Sequence, residues 1–158
     1  MGISLVRGML WLILASAHLL AAAAWFGAMF YSLMILHPRA KRFFGDDDEQ
    51  FETFIATVSQ GARWKVLAAF GVIAATGVAL IPFAALNRRF IILIIAKSVL
   101  LAVAVGIFCY GSWRLWPSRI FALPAEVPAI RRRFRVIAIT LIGIAAAAMV
   151  LGVWAHQQ

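Results

Sequence analysis

Four apolar stretches, each long enough to cross a lipid bilayer, constrain this chain more than any other feature. They run from about Met9 to Leu36, Val66 to Leu86, Phe90 to Trp113 and Val136 to Trp154. A spanning helix needs about 20 predominantly apolar residues. In hydrocarbon every backbone N–H and C=O must find a partner inside the protein, so stretches of this length read as helices. Too little polar chain lies between them to build a separate soluble domain. The expectation is one transmembrane domain over residues 1–158, an all-α integral membrane four-helix bundle. Composition agrees, with 65% hydrophobic and 13% charged residues, where a soluble domain runs nearer 45–50% and about 25%.

The ends of the stretches carry their own signals. Pro38, with Arg39, Lys41 and Arg42, is expected to end the first. The opening, with Arg7 and then Ala15-Ser16-Ala17, has some features of a signal peptide, but the apolar run continues well past that point, as an anchored helix does. Before the second stretch, Phe51, Phe54, Ile55 and Val58 recur at helical spacing. They predict an amphipathic lead-in that continues into the second span, with Asp46, Asp47, Asp48 and Glu49 at its N-terminal turn. Pro82 should bend or end the second span. The connection Asn87-Arg88-Arg89 is so short that spans two and three must be antiparallel neighbours. Residues 114–133, which include Pro117, Pro124 and Pro128, read as a loop. Alanine runs at 21–24 and 145–148 allow close helix packing.

A net charge of +9 on a soluble protein would suggest nucleic acid. Here the basic residues flank apolar stretches, where they bias topology and meet anionic headgroups, so the partner is the bilayer and not nucleic acid. Arg39, Lys41, Arg42, Arg63 and Lys65 lie between spans one and two. Arg114, Arg119, Arg131, Arg132, Arg133 and Arg135 lie between three and four, leaving Arg7, Arg88 and Arg89 for the other side. The positive-inside rule then puts both large loops in the cytoplasm and both termini on the non-cytoplasmic side. One cysteine, Cys109, excludes an internal disulfide and a cysteine-based zinc site.

Two residues stand out chemically. His18 lies in the middle of the first span, and a polar imidazole there faces the bundle interior or a cavity. It reads as a haem or copper ligand, with Met29 on the same face as a soft second donor, or else as a histidine hydrogen-bonded to a neighbouring helix. Lys97 is the one formal charge well inside a span, and a central charge costs roughly 2.5–3.5 kcal/mol on insertion scales. No acidic residue lies in any span to pair with it, which leaves a bound anion, a carbonyl cluster or snorkelling to the interface. Arg63 and Lys65 read as interfacial anchors. His37 and Cys109 are weaker metal candidates, and His156 falls on the opposite membrane face from His37. No P-loop, Ser-His-Asp set or HExxH appears, so nothing marks an enzyme.

Three segments resemble the copper resistance protein D (CopD) family and its broader superfamily of cytochrome b-like four-helix proteins. They are His18-Leu19-Leu20 with Trp25-Phe26-Gly27-Ala28, then Arg63 leading to Thr76-Gly77, then Lys97 followed by a basic segment before the fourth span. The resemblance implies copper transport or homeostasis in a bacterial inner membrane. His18 and Lys97 also resemble the first-span histidine and third-span lysine of HemJ-type protoporphyrinogen oxidases. The chain departs from those oxidases at Ser32-Leu33-Met34, Tyr110-Gly111 and Arg133-Phe134-Arg135. Three readings stay open: copper handling through an intramembrane histidine, a b-type haem-binding redox protein, and an accessory subunit of a homo-oligomer or larger membrane complex.

Overall fold

The computed structural model describes residues 2–84, 87–120, 123 and 125–156, and no strand occurs among them. Four helical segments are long and apolar enough to cross a membrane: Ile3–Phe44, Ala62–Phe83, Arg88–Arg119 and Val127–Trp154. The protein is an all-α integral membrane protein built on these four spans.

The first span is α1 (Gly2–Tyr31), a π-helical turn (Ser32–Leu36) and α2 (His37–Phe44) in one continuous rod. Pro38 therefore does not end it, contrary to the sequence expectation. A proline is tolerated in the first turn of a helix, where its missing N–H has no acceptor to serve. Here Pro38 occupies the first turn of α2, and the wide turn before it is closed by the His37 backbone N–H on the Ser32 carbonyl. The third span repeats the device. The π-helical turn Tyr110–Leu115 joins α5 (Arg88–Cys109) to α6 (Trp116–Ile120), with Pro117 in the first turn of α6.

The loop expected over residues 114–133 is correspondingly short. Helix α6 ends at Ile120 and α7 (Val127–His156) begins with Pro128 in its first turn. Arg131, Arg132, Arg133 and Arg135 sit on the opening turns of α7 and not in a loop. Pro124 lies outside the described residues, as do 85 and 86 at the far end of the second apolar stretch. The amphipathic lead-in is a separate helix, α3 (Asp48–Val58), and does not run on into α4 (Ala62–Leu80). Gly61, at φ +73°, breaks the two apart in a conformation that glycine adopts without penalty. Asp47 caps α3 as its acidic start suggests, accepting the Gln50 N–H at 2.9 Å. Pro82 does end the second span, which tightens to a 3₁₀ turn at Ile81–Phe83.

Helix α1 lies along α4 and α5 along α7, giving two hairpins; α1 also packs on α7, while α4 and α5 meet only sparsely. Trp25, Phe70, Ala104, Leu141 and Ala145, drawn from all four spans, form the buried centre. The Trp25 and Phe70 rings are 4.8 Å apart, and Phe108 meets Phe70 edge-on at 5.8 Å. Outward-facing Leu19, Leu20, Ile92, Val99 and Val150 are exposed, as a lipid-facing surface requires.

A second cluster caps the loop side. Ala40, Phe51 and Ile55 are buried there, with Phe44 and Phe54 packed against them. Glu52 of α3 receives Arg119 Nε at 2.5 Å and Arg131 Nε at 2.6 Å. Asp48 pairs with Lys41 at 2.7 Å and with Arg131 at 3.1 Å. The acids of the first loop thus neutralise cations that belong to α2, α6 and α7.

Candidate functional site

The geometry follows from the bundle's centre. Seven residues of helix are nearly two turns, rise about 10.5 Å and return to almost the same face. Seven residues from Trp25, away from the loops, is His18. The same step leads from Phe70 to Gly77, from Ala104 to Lys97 and from Ala145 to Gly152. Each span therefore contributes one residue to a layer next to the packed centre, and this layer holds a histidine, a lysine and two glycines.

The side chains use the space the glycines leave. A Cβ on Gly77 would stand 3.5 Å from His18 Cε1, and one on Gly152 would stand 3.1 Å from Lys97 Nζ. The first is ordinary contact, the second tighter than side chains normally tolerate. His18 thus rests on α4 and Lys97 on α7.

His18 Nδ1 lies 2.9 Å from the hydroxyl oxygen of Thr76, which is itself buried. The Thr76 hydroxyl donates to the Val72 carbonyl at 2.6 Å, one turn back along α4. Lys97 has no hydrogen-bond or ion-pair partner among the described residues. Gly152 places its ammonium near the C-terminal end of α7, where the helix dipole favours a cation. One further donor is left over at the centre: Trp25 Nε1 is buried without a hydrogen-bond partner.

The other sequence candidates lie elsewhere. Met29 shares a face with His18, but eleven residues of unbroken helix separate them by about 16 Å along the axis, so they cannot ligate one ion. Met29 packs against the central cluster instead. His37 Nδ1 donates to the Ser32 carbonyl at 2.7 Å, inside the wide turn that carries the chain past Pro38. Cys109 is half-buried at the last residue of α5, twelve residues beyond Lys97. Arg63 lies over the Trp113 ring at 5.9 Å, and Trp64 meets the same ring edge-on, an arrangement suited to the interface. Lys65 is exposed. His156 ends α7, at the opposite end of the bundle from His37.

The layer fits some groups better than others. Among the described residues no cluster of three or more His, Cys, Asp or Glu could enclose a metal ion. Among the described residues of this layer His18 alone offers an imidazole nitrogen. A haem would need a groove beside that ring. Two open clefts lie elsewhere: about 500 Å³ lined by Phe44, Asp47 and Thr53, and about 470 Å³ lined by Ile3, Val6 and Leu10.

Reading the sequence identified His18 and Lys97 but not what surrounds them. Gly152 and Glu52 went unremarked, and Thr76 and Gly77 entered only through a resemblance. Seven-residue steps from Phe70 to Gly77 and from Ala145 to Gly152 mark the two glycines once the bundle's centre is known. Comparison with protein-family models, with curated proteins and with solved structures finds no match.

Proposed function

We propose that this membrane protein handles copper, with His18 as the metal donor contributed by the polar layer. One observation carries the reading: an imidazole lies within the first span, where a polar group is costly, held by Thr76 and seated on Gly77. A metal ion needs no cavity of its own. Soft and imidazole donors both accept copper. A single chain offers one such donor here, so the remaining ligands would come from a second copy or from a carrier that delivers the ion. Copper is then cargo. Lys97, a cation at the same depth, disfavours tight retention, which suits an ion that must leave. The CopD resemblance supports the same reading and an inner-membrane location, with the basic helix ends cytoplasmic.

The test is copper content. Purified protein loaded with Cu(I) should retain more copper than a His18→Ala variant does. Equal, substoichiometric copper in both overturns the reading. A second reading, a haem b protein, is favoured by one specific observation: an unpaired ammonium near a histidine suits a propionate. In that case His18 would bind the iron and Lys97 would pair with a propionate. A Soret band in the purified protein, lost in His18→Ala, is its expected signature, and a colourless preparation excludes it.

A further inference from the structure

We propose that Thr76 is a positioning residue that sets the tautomer of His18, holding the ring proton on Nδ1 and leaving Nε2 as the nitrogen that meets a metal. The metal part of this statement rests on the proposed function; the tautomer part rests on hydrogen-bond geometry alone.

A threonine hydroxyl has one proton and two lone pairs. Thr76 Oγ1 lies 2.6 Å from the Val72 carbonyl oxygen and 2.9 Å from His18 Nδ1. A carbonyl oxygen only accepts, so the single hydroxyl proton goes to Val72, as helical threonines commonly direct theirs. The Thr76 oxygen then presents a lone pair to His18, and Nδ1 must be the donor. In a neutral ring the second nitrogen, Nε2, is left with its lone pair free. Which imidazole nitrogen binds a metal is set by the hydrogen bond the other one makes.

Gly77 supports the same orientation. The ring's Cε1, the carbon between the two nitrogens, sits over the space where a Gly77 side chain would be. The ring therefore lies flush on α4 while Nδ1 reaches Thr76. Two consecutive residues of one helix fix the imidazole, one by accepting its proton and the other by making room. A hydroxyl at 76 is required for this, and a methyl of equal size is not a substitute.

The experiment uses the full-length protein in bilayers, with ¹⁵N-labelled histidine and no added metal, near pH 8, where an imidazole with its ordinary pKa of about 6.5 is mostly neutral. The His18 signals are assigned by their loss in His18→Gln. Nitrogen shifts and couplings should show the Nδ1–H tautomer in the wild type and in Thr76→Ser, and the Nε2–H tautomer in Thr76→Val. An Nε2–H ring in the wild type overturns the proposal, as does an unchanged tautomer in Thr76→Val. Should Thr76→Val fail to fold, the wild-type and Thr76→Ser spectra decide the matter. Cu(I) is then titrated as the probe. Loss of an orienting partner typically weakens metal binding 10- to 100-fold, so Thr76→Val should lose about that much and Thr76→Ser little. Wild-type protein that shows the Nδ1–H tautomer yet binds no copper would refute the copper reading and leave the tautomer assignment standing.

Discussion

Lys97 and Gly152 show how a single missing side chain can determine where a charge sits. The ammonium lies where a Gly152 Cβ would be only 3.1 Å away. A β-branched residue there must push Lys97 off α7 or distort the helix. Gly152→Val should therefore lower stability by about 1–3 kcal/mol, the usual range for overpacking. Lys97→Ala in the same chain should recover most of it, which thermal unfolding of the four variants in a double-mutant cycle will measure. Equal penalties with and without Lys97 would show that the two do not touch. His18 and Lys97 were legible in the sequence because polar groups in apolar runs are costly. Gly77 and Gly152 were not, because glycine is common in membrane helices and only its distance from another helix's side chain gives it meaning.

The helices themselves were legible as four, yet not in their lengths. Apolar runs mark the part of a helix that lies in lipid, and here the helices extend beyond it into polar sequence. Prolines were the misleading signal. Pro38 and Pro117 follow wide π turns, and Pro128 opens α7, so none of them ends a span. Gly61 is the true break, and nothing in its neighbours announced it. Gly61→Ala should cost about 1–2 kcal/mol through its left-handed backbone, measurable as a lower unfolding midpoint. Glu52 was equally silent, because its arginine partners lie 67 and 79 residues away. Its carboxylate ties α3 to α6 and α7 through largely buried arginines. Glu52→Gln should destabilise by about 1–3 kcal/mol, since it leaves charged groups short of a partner. A wild-type midpoint in this variant would show the tie to be incidental.

Across the whole molecule the loop-side ion pairs link the two hairpins, which meet only sparsely along α4 and α5. Lys41 foremost, and then Arg131, hold the Asp48 carboxyl below the usual aspartate range. A depressed carboxylate contributes stability above its unfolded pKa and loses it as pH falls through its folded value. The advantage of wild type over Asp48→Asn should accordingly be constant at neutral pH and shrink below about pH 4, the ordinary aspartate value. Asp48 is exposed, so the difference should be small and should shrink further in high salt. Unfolding midpoints measured from pH 7 to pH 3 will decide it; a gap that widens on acidification contradicts the assignment.

Trp25 and Phe70 fill the axis of the bundle just beyond His18, with Leu141 and Ala145 closing around them. In this arrangement the tryptophan is a wall between the histidine layer and the loop-side helix ends. Vesicles carrying the wild-type protein should therefore hold a proton gradient as well as empty ones do. Substituting Trp25→Gly should open a gap in that wall, read as a faster decay of that gradient.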